Sequence, residues 1–321
     1  MKKLIIGKND ADQRLDRFLR KYYANARLGE IQKALRNKKF RLNGKRAYPQ
    51  SMIMEGDELC IYLSDDLLDR WEEKKSFVPA QGALDIHYED ENILIVYKRV
   101  GELTHPASPK DYGKTLIDRV TSYLINTGTY VPRLENTFTP AACNRLDRNT
   151  EGLILAAKNA QAVRSMNAAL KDGRIHKYYR TLVHGSIEQD VTLVGKLKKD
   201  EEKNRVMIAD EGKEIITKIR VVESLEDITD LEIELITGRT HQIRAHLASI
   251  GHPILGDPKY GNKAKDAQYH HLRGQALVSY RLQFDHIPGF QYDGLTVTAD
   301  LPRYYKELIE KKGKNNEDDW D

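Results

Sequence analysis

Apolar positions in the first sixty residues recur with the period of a helix and then with that of short strands. Leucine and aromatic residues recur at steps of three and four, at Leu15, Phe18, Leu19 and Tyr22. This spacing predicts a helix, and the same pattern predicts a second helix at Gly29–Asn37. Asn43-Gly44 then predicts the turn of a β-hairpin, because both residues tolerate positive φ. A turn and a strand over Met54–Leu63 complete a small α/β unit.

From Leu84 onward the pattern is dominated by strands, with few helices between them. Ile86–Tyr88 and Ile93–Lys98 predict a hairpin. Further strands are predicted at Gly152–Ala157, Tyr178–Gly185, Leu231–Ile236, Gln275–Phe284 and Leu295–Ala299, and helices at Ala160–Leu170 and His241–Ile250. Such an arrangement predicts an α+β fold with a mixed, mainly antiparallel sheet.

These patterns divide the chain into four predicted segments. Residues 1–63 form the small α/β unit, residues 64–83 a charged linker, and residues 84–305 the main domain. Residues 306–321 are charged and are predicted to be a frayed tail. With 40% hydrophobic and 31% charged residues, the composition is that of a globular protein.

Charge is unevenly distributed along the chain. Residues 1–63 contain 15 Lys and Arg against 7 Asp and Glu, a net +8; since the whole chain carries +4, residues 64–321 carry −4. A basic unit joined to a more neutral body favours nucleic acid as the partner, because cationic side chains that bind phosphates release counterions. A merely solvated basic surface is the alternative.

Several classes of protein are not expected. The apolar runs are much shorter than the roughly 20 residues of a membrane helix, and the start lacks the pattern of a signal peptide. The sequence contains only two cysteines, Cys60 and Cys143, and they lie far apart, so neither a disulfide framework nor a thiolate zinc site is expected. These features predict a cytoplasmic protein. Glycine-rich nucleotide-binding motifs do not occur, so no cofactor is expected, and the lack of heptads predicts a monomer.

The segment from Asn144 to Leu155 is the first candidate for chemistry. It places Asp147 between Arg145 and Arg148, directly before an apolar strand. Positive neighbours favour the ionised form of a carboxylate. This combination suggests chemistry on a polyanion, although a surface ion pair has the same sequence pattern.

A second candidate is the predicted helix that follows Gly238. Thr240 is the expected N-cap and Gly251 the expected residue after the helix. Arg239, His241 and Arg244 crowd its first turn, where free backbone N–H groups also point. We expect an anion site there, for a phosphate or for a protein carboxylate, and pairing with surface acids is the alternative. No metal site is expected, because His241 and His246 are spaced by five residues rather than by the four of a metal-binding helix.

The third candidate is the strand that contains Lys177 and Tyr179. Alternation places these two side chains on one face and Tyr178 on the other. One of the two tyrosines is then available to stack on a nucleobase while the other packs in the core, although core packing is the more common role for either.

Together these segments resemble the RluA-type pseudouridine synthases over roughly residues 84–303. The matching motifs are Arg145-Leu146-Asp147 with Thr150 and Gly152, Lys177-x-Tyr179 with Gly185, Gly238 to Arg244, and Gly251 to Asp257. The first 63 residues resemble the small RNA-binding domain named after ribosomal protein S-four. The features that carry this second likeness are Arg14 to Leu19, Ile31 to Arg36, Leu42 to Lys45, and Glu55-Gly56-Asp57.

The resemblance implies a pseudouridine synthase fold and isomerisation of uridine in RNA, most simply large-subunit ribosomal RNA, without cofactor or metal. Asp147 would be the essential aspartate, acting as nucleophile or as base. Tyr179 would stack on the target base, and Arg244 would pair with the catalytic carboxylate. The expected RNA-binding residues are Arg145, Arg239 and His241 in the main domain, and Arg14, Arg17, Lys33, Arg36 and Lys45 in the first unit.

The sequence departs from the family pattern at several positions, among them Asn144, Glu151, Arg99 and Val278-Ser279. None of them belongs to the Asp147, Tyr179 and Arg244 set. The alternative function is a non-catalytic RNA-binding or ribosome-assembly protein. Such a protein would not require those three residues together.

Overall fold

The computed structural model describes residues 1–72, 78–132, 136–200, 205–269 and 272–317. Within these residues, no helix is both long enough and apolar enough to cross a membrane.

The first unit is a small α/β structure with its own core. Its elements are β1 (Lys2–Ile5), β2 (Gln13–Arg14), α1 (Leu15–Tyr22), α2 (Leu28–Arg36), β3 (Phe40–Leu42), β4 (Lys45–Arg46), β5 (Met52–Ile53) and β6 (Glu58–Ile61). Both predicted helices are confirmed, and Leu15, Phe18 and Leu19 are fully buried. The predicted hairpin is confirmed too, since β3 and β4 pair across a turn where Asn43 and Gly44 both have positive φ.

The segment predicted as a linker begins with a helix. This helix, α3 (Asp65–Trp71), buries Leu68 and Trp71 in the core of the first unit. The Trp71 ring meets the Tyr23 ring edge-on at a centroid distance of 5.5 Å. Residues 73–77 of the predicted linker lie outside the described residues.

The rest of the structure is built on one long sheet. Its elements are β7 (Ile86–Glu89), β8 (Ile93–Lys98), α4 (Leu116–Asn126), β9 (Ala141–Ala142), β10 (Glu151–Ala157), α5 (Ala160–Lys171), β11 (Ile175–His184), β12 (Val191–Asp200), β13 (Arg205–Ala209), β14 (Lys213–Leu225), β15 (Ile228–Leu235), α6 (Gln242–Ser249), α7 (Lys263–Asp266), β16 (Leu277–Phe284), β17 (Thr296–Thr298) and α8 (Arg303–Glu317). The strand order is β13-β12-β14-β15-β11-β16-β10-β8-β7, with β17 on β16 and β9 on β10.

Neighbouring strands run antiparallel, with the exception of β10 and β16 in the described residues. The predicted α+β class and the mixed, mainly antiparallel sheet are therefore confirmed. At the parallel pair Gly152 has a φ of +122°, and a Cβ added there would lie 2.2 Å from the carbonyl oxygen of Ser279. Only glycine permits this close approach, which fixes the start of β10 a few residues after Asp147.

The sequence pattern did not reveal β12, β13, β14 or α4. The three strands form one side of the sheet, and many of their residues are charged and exposed, so their alternation is weak.

The prediction of a frayed tail after residue 305 is wrong for residues 306–317, which continue α8. Tyr305 is fully buried and its hydroxyl donates to Oδ1 of Asp230 at 2.7 Å. Leu308, three residues later, is buried in the core of the main domain. The helix is thus held by one apolar face, which the surrounding lysines and glutamates obscure in the sequence. Residues 318–321 lie outside the described residues.

Polar contacts join the first unit to the main domain. The carboxylate of Asp10, 2% exposed, accepts from the backbone N–H of Thr137 at 3.0 Å and from Nδ2 of Asn136 at 2.6 Å. The side-chain oxygen of Asn9 accepts from the backbone N–H of Ala160 at 3.0 Å, at the start of α5. These bonds hold residues 9–10 against two parts of the main domain.

Candidate active site

Asp147 lies on the loop between β9 and β10, where buried neighbours fix the backbone. Leu146 is 6% exposed and its N–H and carbonyl both bond to the hydroxyl of Thr104 at 3.3 Å. The carbonyl of Asp147 accepts from the N–H of Thr150 at 3.1 Å, which closes a turn. Because Leu146 points inward, the side chain of Asp147 turns to the cleft, where it is 18% exposed.

Lys98 also fixes the loop that carries Asp147. The side chain is fully buried, and Nζ donates to the carbonyl oxygens of Arg99, Glu102 and Arg148 at 3.1, 2.9 and 3.1 Å. Burial lowers the pKa of Lys98 to about 8, and the charges of nearby carboxylates offset only part of this shift. The bond to Arg148 fixes the residue directly after Asp147.

Arg244 connects Asp147 to a second, buried carboxylate. It stands in the first turn of α6 and donates from Nη1 to Oδ2 of Asp147 at 2.7 Å. Its Nε and Nη2 donate to Oδ2 and Oδ1 of Asp257 at 2.7 and 2.8 Å, a bidentate pair with a fully buried carboxylate. Burial acts to lower the pKa of Arg244, but the two carboxylates outweigh it and raise that pKa. The anion that the sequence predicted at this helix end is, in the structure, a protein carboxylate.

His241 stands at the start of α6, although Thr240 was predicted there. The N-cap residue is His241 itself, in the left-handed conformation with a φ of 54°. Its Nε2 lies 3.7 Å from Oδ2 of Asp147, and its Nδ1 lies 3.0 Å from the hydroxyl of Tyr260. Burial, together with the charge of Arg244, lowers the pKa of His241 despite the opposing effect of Asp147. The imidazole is therefore neutral at physiological pH. Gly251 follows the helix with positive φ, as predicted.

Tyr260 contacts both Arg244 and His241. Its ring lies 5.2 Å from the guanidinium carbon of Arg244, a cation–π contact, and its hydroxyl reaches the backbone of Val206 on β13. Sequence reasoning assigned no role to Tyr260 or Asp257. Asp257 ends the fourth matching motif and Tyr260 follows it closely, so this motif was the available signal.

Tyr179 forms the far wall of the cleft. It lies on β11 opposite Ser279 and Ile233, at a register shift in the pairing with β16. The side chain is 4% exposed, and burial raises the pKa of its phenol well above the usual range. The residue packs in the core and also lines the cavity, and its stacking on a nucleobase stays a prediction.

The predicted main-domain residues surround one cavity of about 570 Å³. Among the residues that line it are Asp147, Tyr179, Arg244, Arg145, Arg239 and His241. Arg145 and Arg239 are exposed at its edge. The predicted RNA-binding residues of the first unit lie apart from this lining. They are exposed on β2, α1, α2 and β4, namely Arg14, Arg17, Lys33, Arg36 and Lys45. Arg14 pairs with Asp16 at 2.7 Å.

Comparison with known proteins identifies the class to which this sheet and this site belong. Residues 92–249 match the family described as RNA pseudouridylate synthase. The chain is 32% identical over 309 residues to the "Uncharacterized RNA pseudouridine synthase YlyB" of Bacillus subtilis, covering 94% of this chain and 95% of that one. It is also 32% identical over 321 residues to "Ribosomal large subunit pseudouridine synthase C" of Salmonella typhi, covering 97% and 96%.

The solved structure of "Human RNA Pseudouridylate Synthase Domain Containing 4" has the same fold, with a TM-score of 0.54 and 18% identity over 71% of this chain and 92% of that one. The chain belongs to the RNA pseudouridine synthase family and is an RNA pseudouridine synthase. This confirms the predicted family, fold and enzyme class.

The pKa of Lys98 gives a prediction for stability. Between pH 8 and 10.5 the folded protein binds fewer protons at this lysine than the unfolded chain does, so the free energy of unfolding increases with pH. Raising the pH from 7 to 10.5 is expected to increase the free energy of unfolding of the wild type, relative to that of Lys98→Met, by about 3 kcal/mol. Denaturant unfolding across this range measures the difference.

The matched control for this prediction is Lys218→Met, which replaces a lysine that is 54% exposed. The difference in the free energy of unfolding between Lys218→Met and the wild type is expected to stay constant from pH 7 to 10.5. A constant difference for Lys98→Met as well would contradict the prediction.

Proposed function

We propose that this protein converts specific uridines of large-subunit ribosomal RNA to pseudouridine, with Asp147 as the catalytic carboxylate. The observation that carries the proposal is the row of three charged groups, Asp147, Arg244 and Asp257, which ends at the cavity that Tyr179 lines. Ribosomal RNA is supported by the Salmonella relative, whose name specifies the large subunit. A non-catalytic RNA-binding protein would have no need for this buried arrangement.

The fixed geometry of Asp147 supports its assignment to the first chemical step. The N-glycosidic bond of the target uridine must break, and Asp147 acts either as nucleophile at the ribose or as base on a ribose proton. Arg244 holds the carboxylate in a fixed orientation through the bond from Nη1, so no reorganisation is needed when the substrate arrives. His241 is close to Asp147 but neutral, so Arg244 is the positive group that orients the carboxylate.

The released uracil then turns and bonds to the ribose through carbon five. The hydrogen on that carbon leaves as a proton and N1 gains one, so the reaction is an isomerisation. We assign Tyr179 to stacking on the uracil during this turn. Its raised pKa keeps the phenol protonated at neutral pH, which favours stacking over a role as the base.

Basic groups outside the chemical centre are assigned to RNA binding. Arg145 lies at the cavity edge, where a side chain can occupy the gap that a flipped uridine leaves. Arg239 and His241 line the same cavity. The net +8 of residues 1–63 and the exposure of Arg14, Arg17, Lys33, Arg36 and Lys45 support rRNA binding by the first unit. We propose a cytoplasmic monomer, consistent with a ribosomal RNA substrate.

The test is tritium release from RNA. Large-subunit rRNA transcribed in vitro with tritium at uridine carbon five is expected to lose one tritium for each uridine converted. Mapping of pseudouridines in the product then identifies the target. Release from transfer RNA transcripts instead would overturn the substrate, and no release from either RNA would overturn the activity.

A further inference from the structure

A second cavity, of about 470 Å³, adjoins the first at Asp147. The residues that the two share include His105, Arg145, Asp147, His241 and Arg244, but the second extends to Thr104, Pro106, Arg148, Pro258 and Lys259. The cleft therefore continues past the catalytic carboxylate. The proposed uracil site and mechanism leave this part unused.

The charges of this cavity favour an anion. Arg148 and Lys259 are exposed on its walls. Asp147 is the one carboxylate among the described residues of its lining, and Arg244 already pairs with it. A negatively charged group that entered would meet cations on several sides.

The backbones that carry the two cations are fixed by the site itself. The carbonyl of Arg148 accepts from Nζ of Lys98 and from the N–H of Gly101, at 3.1 and 2.9 Å. The N–H of Lys259 donates to Oδ1 of Asp257 at 2.9 Å. Arg148 directly follows Asp147, and Lys259 follows the buried partner of Arg244. Their positions therefore depend on the same bonds that hold the catalytic carboxylate.

The chemistry of the lining points to a phosphate rather than a base. Phe, Tyr and Trp are absent from the lining among the residues that the structure describes, and a base would meet only the smaller imidazole rings of His105 and His241. A ribose held at Asp147 with its uracil in the first cavity must continue into a phosphodiester on each side. We propose that the second cavity binds a phosphodiester adjacent to the target uridine through Arg148 and Lys259. This inference rests on the proposed function.

Salt dependence of binding tests the proposal. The probe is an oligoribonucleotide that contains the mapped uridine, and the variants are Arg148→Ala, Lys259→Ala and the double variant. Losing one phosphate contact on a single strand is expected to reduce the slope of log K against log salt by about 0.7 in the double variant. KM is expected to rise about tenfold, and by a larger factor than kcat falls. The double variant Arg148→Lys with Lys259→Arg retains both positive charges and is expected to keep the wild-type salt slope. Arg303→Ala is the control for loss of a positive charge elsewhere, because this side chain is 92% exposed and lies outside both linings, and it is also expected to keep that slope.

A neutral methylphosphonate placed 5′ or 3′ of the uridine identifies the contact. One of the two substitutions is expected to weaken wild-type binding and to have no further effect on the double variant, because both changes remove the same contact. An unchanged salt slope in the double variant, or full additivity at both positions, would overturn the inference. The proposed function fails separately, if the wild type forms no pseudouridine at all.

Discussion

Replacing Asp147 with alanine is expected to lower the rate of pseudouridine formation by at least about 10⁴-fold, the scale for loss of a central reacting group. Two neighbouring groups in the cleft cannot substitute as a base. Tyr179 is a buried phenol with a raised pKa, and Arg244 has no basic form at neutral pH. Tritium release under single-turnover conditions measures the loss.

The same variant should still fold and bind RNA. Arg244 keeps its bidentate pair with Asp257, so the charge that alanine leaves behind remains compensated. The basic residues around the cavity are untouched, and we expect RNA affinity within a few-fold of the wild type. Asp300→Ala, at a side chain that is fully exposed, is the matched control and should retain full activity. A variant at Asp147 that releases tritium at the normal rate would exclude this carboxylate from the chemistry.

Local structure was the part of the fold that the sequence predicted well. Period-2 and period-3.6 patterns depend on neighbours within a few residues, and they correctly predicted α1, α2, the Asn43–Gly44 hairpin and most central strands. They failed at α8, where Tyr305 and Leu308 stand among lysines and glutamates, and at β12 to β14, where the apolar face is narrow. In both places contacts with the rest of the fold decide the structure.

In the candidate site, too, the sequence predicted what local motifs mark and missed what depends on contacts in the folded chain. Asp147, Tyr179 and Arg244 were predicted as site residues because motif resemblance marks each of them separately. Asp147 and Arg244 are 97 residues apart, and no local pattern reports that their side chains meet. The three carbonyl bonds of Lys98 and the support from Tyr260 depend likewise on the folded backbone. The left-handed conformation of His241 was missed because Thr240 is the better N-cap by residue type.

The second large effect is expected at Asp257. Asp257→Asn removes the charge that compensates the buried guanidinium of Arg244, and only Asp147 remains to neutralise it. Breaking a buried ion pair in this way is expected to lower the free energy of unfolding by about 3–5 kcal/mol at neutral pH.

Burial acts to raise the pKa of Asp257, but the hydrogen bonds and charge of Arg244 outweigh it and lower that pKa. The stabilisation is therefore present above the unfolded pKa of about 4 and is lost as the pH falls through the lower, folded pKa. Thermal and denaturant unfolding at pH 7 and at acidic pH measure this difference, which should shrink on acidification.

Catalysis should fall as well, because the guanidinium that orients Asp147 loses its bidentate anchor. A displaced catalytic group of this kind costs about 10²-fold. We expect most of the loss in kcat, since the RNA-binding side chains are unchanged and the amide oxygen of the asparagine can still accept from the backbone N–H of Lys259. Asp10→Asn separates this effect from simple destabilisation. Asp10 is equally buried and bonded, to Asn136 and Thr137, but it lies at the contact between the two units. At a temperature where both variants are folded, Asp10→Asn should keep the wild-type kcat and Asp257→Asn should not. Equal kcat values would mean that Asp257 stabilises the fold without positioning Asp147 through Arg244.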